Sequence, residues 1–171
     1  MTFNDHLKIR IQSPLGPIEI GSTTAFVTSI KFMDDANITN SPSEIKNLPT
    51  LIHHCMDELQ DYFNGKLEQF SFPHQQEGTN FSQKVWQQLT ALPYGQTVSY
   101  LEISKRLGDV KAIRAAASAN GKNQLAIVVP CHRVIGNDGN LRGYAGGVWR
   151  KQWLLKHENK NSGKTQQLVI F

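Results

Sequence analysis

The stretch Leu125-Ala126-Ile127-Val128-Val129-Pro130-Cys131-His132-Arg133-Val134 governs the reading of this 171-residue chain. Five apolar residues ending at a proline predict a buried strand, because a short apolar run closed by a breaker suits a strand covered on both faces. The strand stops where it delivers a thiol and an imidazole. A thiol attacks as thiolate, and an imidazole able to take its proton is the usual activator. Neighbours on a regular strand point to opposite faces, so Cys131 and His132 cooperate if the chain turns here or if a water bridges sulfur and ring. An arbitrary cysteine is more often a small buried hydrophobe. Cys55, on the apolar face of a helix, is read that way.

Outward from this stretch, charge divides the chain. Residues 1–78 hold five Lys/Arg against ten Asp/Glu, a net of −5, while residues 79–171 hold thirteen against four, a net of +9. A basic half that also bears the thiol points to a polyanionic partner, with the acidic half turned away from it. Mean hydropathy is −0.38, and no apolar run approaches the roughly 20 residues of a membrane span. Met1–His6 lacks a basic segment followed by an apolar core, so no secretory leader is expected. The two distant cysteines, Cys55 and Cys131, are too few for a disulfide framework and suit a reducing cytoplasm.

Two domains are expected, 1–78 and 79–171, in an α/β (α+β) arrangement. A small N-terminal sheet-plus-helix domain precedes a helical C-terminal domain carrying a helix-turn-helix and the thiol strand. Leu7–Ile11 alternates as a strand, Ser13–Pro17 turns, Ile18–Ile20 returns, and Phe26–Phe32 forms a third strand. Asp34–Asn47 reads as loop. Leu51, Ile52, Cys55, Met56, Leu59, Tyr62 and Phe63 recur at helical spacing, and Gly65 suits a stop. His74–Gly78 connects the domains. Asn80 with Gln83 predicts a capped helix over Phe81–Leu92. Ser99 with Glu102 opens a short helix Tyr100–Leu107, and Asp109 caps another running through Ala119. Those two helices, joined through Gly108, read as a helix-turn-helix. The small residues of the second, Ala115 and Ser118 among them, let its backbone approach another surface, and the face holding Arg114 could lie against DNA. Val148–His157 predicts a last helix. Asn80-Phe81-Ser82 and Asn37-Ile38-Thr39 match glycosylation sequons only formally, given no secretion. Ser162-Gly163-Lys164-Thr165 lacks the first glycine of a phosphate-binding loop, since Glu158 stands there. His53-His54-Cys55 has no complementary ligand pair, so no metal site is expected.

Pro130-Cys131-His132-Arg133-Val134 resembles the active-site signature of the O6-alkylguanine-DNA alkyltransferases, the methylated-DNA–protein-cysteine methyltransferases. The resemblance is strong over residues 79–171. It extends through Tyr94-Gly95, Val98-Ser99-Tyr100, Lys111–Ala115, Asn123, Gly143-Tyr144, Trp153-Leu154-Leu155 and Glu158. Residues 1–78 resemble the family's N-terminal domain more loosely. The resemblance implies single-turnover repair, in which an alkyl group passes from O6-alkylguanine, and also O4-alkylthymine, to Cys131. It implies that His132 takes the thiol proton through a water, that Glu158 orients the imidazole, and that Tyr100 hydrogen-bonds or protonates the departing base. Arg114 would fill the gap left by an extruded base, Asn123 would tie the recognition helix to the thiol strand, and Arg133 would be structural or phosphate-facing. Tyr144, Ala145, Gly146 and Val148 would line the pocket.

A thioether resists hydrolysis, and no second cysteine or cofactor motif lies near to reverse it, so the protein is expected to be consumed. Double-stranded DNA with alkylated guanine is the expected partner, for a cytoplasmic monomer that engages no membrane. The main alternative is a non-catalytic alkylguanine-recognition protein, which would have no need of Cys131. A helix-turn-helix regulator would need a dimerisation or sensor element, and a cysteine hydrolase an oxyanion hole. Many relatives have proline where this chain has Gln124.

Overall fold

The computed structural model describes residues 7–35 and 42–163. Met1–His6, Asn37-Ile38-Thr39 and Lys164-Thr165 lie outside the described residues. The chain divides into two units: residues up to Glu77 together with Gln124–Ala126, and Gly78–Asn123 together with the residues from Ile127 onward. A single cut after residue 78 therefore misses the short return of residues 124–126.

In the first unit, period-two alternation builds an antiparallel sheet of β1 (Leu7–Ser13), β2 (Gly16–Ser22) and β3 (Val27–Phe32), in the order β1-β2-β3. The register runs from Leu7↔Ser22 to Ser13↔Gly16 and from Ile18↔Phe32 to Ser22↔Val27. The β1–β2 turn closes because the Ser13 hydroxyl accepts from the Leu15 N–H at 3.1 Å and donates to the Gly16 carbonyl at 2.6 Å. Ile9, Ile18, Ile20, Val27 and Ile30 are buried.

A short helix α1 (Pro42–Lys46) replaces part of the expected loop. Proline suits the first helical position, and Glu44 early with Lys46 late complements the helix dipole. In α2 (Thr50–Phe63), Ile52, Cys55, Leu59 and Tyr62 form the buried stripe, so Cys55 packs in the core. The free edge of β3 takes partners from later chain: the Ile30 N–H donates to the Gln124 carbonyl at 2.8 Å, and the Ala126 N–H to the Ile30 carbonyl at 3.0 Å.

The second unit begins with α3 (Asn80–Thr90). Its cap is Thr79 and not Asn80: Thr79 is extended, and its hydroxyl accepts from the Ser82 N–H at 3.1 Å. Trp86 on the buried face of α3 donates its indole N–H to the Ala119 carbonyl at 2.9 Å. The strand β4 (Val98–Ser99) leads into α4 (Tyr100–Arg106), capped by Ser99. Gly108, at φ +83°, reverses the chain. Asp109 caps a 3-10 turn, Val110–Ala112, that feeds α5 (Ile113–Gly121). The last helix, α6 (Val148–Asn161), runs a turn beyond the expected end.

The expected strand over residues 125–129 does not form. Leu125 makes one isolated bridge to Ile30, and the next residues turn, with Ile127 at φ +71°. Leu125, Ile127, Val128 and Val129 are all buried nonetheless. The backbone groups that a strand would pair go elsewhere: the Val129 carbonyl accepts from the Cys131 N–H at 2.8 Å and from the Asn123 side chain at 2.7 Å. Pro130, at φ −80° and ψ 64°, makes this an inverse γ-turn.

Candidate active site

The γ-turn at Pro130 delivers the chain into a 3-10 turn, Cys131–Arg133, followed by β5 (Val134–Ile135), which runs parallel to β4 with Val98 opposite Val134. The chain thus turns at Cys131 and does not continue as a regular strand. Cys131 is buried, and its Sγ accepts from the Asn123 Nδ2 at 3.2 Å. Asn123, just past α5, thus holds both the thiol and the carbonyl before it.

His132 and Arg133 converge on one carboxylate. The Nε2 of His132 lies 2.6 Å from Glu158 Oε1. Arg133 donates to Glu158 through Nε (2.8 Å) and Nη2 (3.0 Å), and its Nη1 donates to the Leu92 carbonyl at 2.6 Å. The backbone N–H of Gly95 also donates to this carboxylate, at 3.1 Å from Glu158 Oε2. Gly95 sits at φ +70°, and a Cβ there would meet Ser162 Cβ at 2.7 Å, so glycine is required both by conformation and by space. His132 and Glu158 have no exposed side-chain surface. Glu158 is therefore far from a solvated helix-end carboxylate.

Electrostatics assign the protons. Burial resists ionising the Glu158 carboxyl, but His132 and the Arg133 guanidinium outweigh it and hold the carboxyl well below the usual carboxylate range. Burial lowers the His132 pKa against the pull of Glu158, favouring the neutral ring. A neutral ring facing a carboxylate through Nε2 carries its proton there, which leaves Nδ1 as the basic lone pair. That nitrogen is buried without a hydrogen-bond partner among the described residues. Burial raises the Cys131 pKa, while the Asn123 bond and the charge of Lys151 lower it.

Lys151 had not been singled out in sequence. It is fully buried on α6, and its Nζ donates to the Val134 carbonyl at 2.6 Å. Burial lowers its pKa to about 8, with Cys131 pulling it up. The signal was present, because Lys151, Leu154, Leu155 and Glu158 share one helical face. Asn120 was missed too, on the buried face of α5 with Ala116 and Ala119. Its Nδ2 donates to the Tyr100 hydroxyl at 3.3 Å and to the Cys131 carbonyl at 3.4 Å. Tyr100 opens α4 beside the thiol turn, and burial with the nearby Cys131 raises its phenol pKa.

Tyr144 is half-buried, and burial with Cys131 and Glu158 in range raises its phenol pKa well above the ordinary value. Of the other expected pocket residues, Ala145 and Val148 are exposed, and the Gly146 carbonyl accepts from Arg150 Nη1 at 2.7 Å. Arg114, Ala115 and Ser118 lie together on the exposed side of α5. Arg133, read as structural or phosphate-facing, and Asn123, read as tying the recognition helix to the thiol strand, both turn inward. Arg133 is 5% exposed and committed to Glu158 and Leu92, because the 3-10 turn swings its side chain inward. Asn123 turns its amide to the thiol. Among the described residues, no cluster of His, Cys, Asp or Glu could hold a metal ion.

A buried thiol whose neighbour enters a His–Glu–Arg relay, on the same unit as a helix-turn-helix, defines a cysteine-nucleophile protein built on a nucleic-acid-binding fold. Residues 80–160 match the family described as 6-O-methylguanine DNA methyltransferase, DNA binding domain, and residues 7–76 match its ribonuclease-like domain. A methylated-DNA–protein-cysteine methyltransferase of Methanosarcina barkeri is 39% identical over 151 residues, 88% of this chain and 96% of the relative. The crystal structure of Mycobacterium tuberculosis O6-methylguanine methyltransferase superposes with a TM-score of 0.79 at 38% identity, covering 93% of this chain and 95% of that one. The structure of the M. tuberculosis protein in complex with DNA gives 0.77 at 38% identity, covering 89% and 92%. The chain belongs to the 6-O-methylguanine DNA methyltransferase family.

Proposed function

We propose that this protein repairs DNA by transferring an alkyl group from O6-alkylguanine, and also from O4-alkylthymine, to its own Cys131, and is spent in doing so. The observation that carries the reading is the Cys131 thiol on a turn whose next residue is held by a buried carboxylate. The thiol proton passes through a water to His132 Nδ1, and Glu158 stabilises the imidazolium that results. The thiolate attacks the alkyl carbon in line. The C–S bond forms as the C–O6 bond breaks, and the bonding pair leaves on the guanine, which Tyr100 hydrogen-bonds or protonates. Asn123 and Lys151 favour the thiolate against burial.

The partner is duplex DNA, engaged by the exposed side of α5. The target nucleotide must leave the stack to reach a buried sulfur, at a cost of a few kcal/mol, and Arg114 fills the gap. Tyr144, Ala145, Gly146 and Val148 border the pocket. No helix among the described residues is long and apolar enough to cross a membrane. The protein works as a monomer in the cytoplasm, at the nucleoid in a bacterium. The test is incubation with duplex DNA carrying radiolabelled O6-methylguanine. One equivalent of label should move to the peptide containing Cys131. Tight binding of the modified duplex with no label transferred would instead establish the non-catalytic reading.

A further inference from the structure

Resting on the alkyl-transfer reading, we infer that Arg150 is a positioning residue whose buried guanidinium pins the Tyr144–Gly147 loop in the shape that receives the extruded base. Local helix physics gives Arg150 no reason to stand where it does. It is the third residue of α6, whose first turn holds no acidic residue and whose cap, Gly147, supplies no side-chain hydrogen bond. A cation near a helix N-terminus opposes the helix dipole, and burying it adds a desolvation cost. Arg150 is nonetheless 4% exposed. Its side chain reaches back out of the helix, and Nη1 donates to the Gly146 carbonyl at 2.7 Å. The Trp149 ring covers the guanidinium, with its centroid 4.6 Å from Cζ, while the ring itself is 55% exposed. Residues that break local rules mark functional or strained places in a fold, and here the place is the pocket loop.

The loop explains what the guanidinium does. The Gly147 N–H donates to the Tyr144 carbonyl at 2.8 Å, and Gly147 stands at φ +88°, where few other residues are at ease. From Gly147 onward α6 anchors the chain, since the Gly147 carbonyl accepts from the N–H groups of Arg150 at 3.1 Å and Lys151 at 3.3 Å. Gly146 lies upstream of that anchor and has no side chain of its own to hold it. The Arg150 bond extends the anchor to Gly146. The same positive charge acts on the Tyr144 phenol, where it opposes the effect of burial, so one side chain serves both ends of the loop. Without the pin the loop spends less time in the receiving shape, and the apparent affinity for the base falls with that fraction. Arg150 acts on the substrate through the loop.

The test measures single-turnover transfer from a duplex carrying O6-methylguanine, at sub-saturating DNA, with rates expressed per active molecule from the amplitude of transfer. Arg150→Met should transfer about tenfold more slowly, the loss of one hydrogen bond from a charged donor. Its affinity for unmodified duplex and the pH midpoint of its rate should match wild type. Arg150→Lys keeps a cationic donor and should recover most of the rate. Trp149→Ala removes an exposed ring and uncovers the guanidinium, so it should slow transfer about threefold, the size of an exposed cation–π contact. That variant decides the matter if Arg150→Met does not fold, and an undiminished rate in it refutes the inference. A reduced amplitude in Arg150→Met with a wild-type rate per active molecule also refutes it and leaves Arg150 as packing. A shifted pH midpoint refutes it as well, because the effect then lies on the thiol. No transfer to wild-type protein refutes the alkyl-transfer reading, and this inference with it.

Discussion

Arg133→Met is expected to cost folding stability and leave the salt dependence of DNA binding unchanged. The guanidinium is 5% exposed. It donates twice to Glu158, at 2.8 and 3.0 Å, and once to the Leu92 carbonyl at 2.6 Å. Methionine keeps much of the stem volume but supplies no donor. Glu158, with no exposed side-chain surface, then loses its guanidinium partner and keeps the bonds to His132 and the Gly95 N–H. Removing one partner of a buried ion pair costs about 3–5 kcal/mol, because a charge remains in low dielectric without compensation. For a chain of this size each kcal/mol lowers Tm by roughly 2–4 °C, so the fall should be about 6–20 °C. The orphaned carboxyl partly relieves the cost by rising in pKa, since one of the groups that lowered it is gone. Thermal melts followed by circular dichroism measure the first quantity, and duplex binding across a salt series measures the second. A wild-type melt together with a salt slope reduced by about one, the signature of a lost phosphate contact, would refute the reasoning.

Cys131→Ser should abolish alkyl transfer and leave DNA affinity near wild type, whereas Cys55→Ser, in the core of the first unit with a thiol pushed up to about 12, should transfer normally at a small packing cost; intact-mass analysis after reaction with alkylated duplex decides both. Arg114→Ala should slow repair in duplex DNA far more than reaction with a free modified base, and equal slowing on the two would exclude a role in base extrusion. Stability should fall with acid in two stages. The folded state holds His132 below its ordinary 6.5, so below that pH the unfolded chain binds a proton that the folded chain refuses. The lowered Glu158 carboxyl stabilises the fold above its ordinary 4.5, and that contribution declines as the pH drops below this value. A urea midpoint that stays flat between about pH 7.5 and pH 4 would contradict both assignments. Lys151→Met should slow transfer near neutral pH, because the charge that lowers the thiol pKa is removed, measured by single-turnover rates with DNA affinity as control.

The sequence was legible where one residue type has few uses. Pro130-Cys131-His132 marked where a buried thiol and imidazole come together, period-two alternation marked β1 and β2, and Ser99 with Asp109 marked the starts of α4 and of the 3-10 turn before α5. It misled at Leu125–Val129, because an apolar run reports burial and not extension. The positive φ of Ile127 and the side-chain bond from Asn123 are tertiary facts with no local signature. Arg133 was misplaced for a related reason. A strand end would have sent it away from His132, whereas the turn brings both to Glu158. Lys151 and Asn120 escaped notice because polar residues on short helices usually face water, and their burial depends on what packs over them.

Glu158 and Cys131 differ in how the fold holds them. The carboxylate is shared by Gly95, His132 and Arg133, segments far apart in sequence. Among the described residues, Asn123 is the one side chain that hydrogen-bonds the thiol. Selection can therefore exchange the sulfur in one step and keep a folded, DNA-competent descendant, but it cannot discard the carboxylate without first rebuilding the interior. Loss of the thiol is thus a change of chemistry alone, whereas loss of the carboxylate is a change of fold.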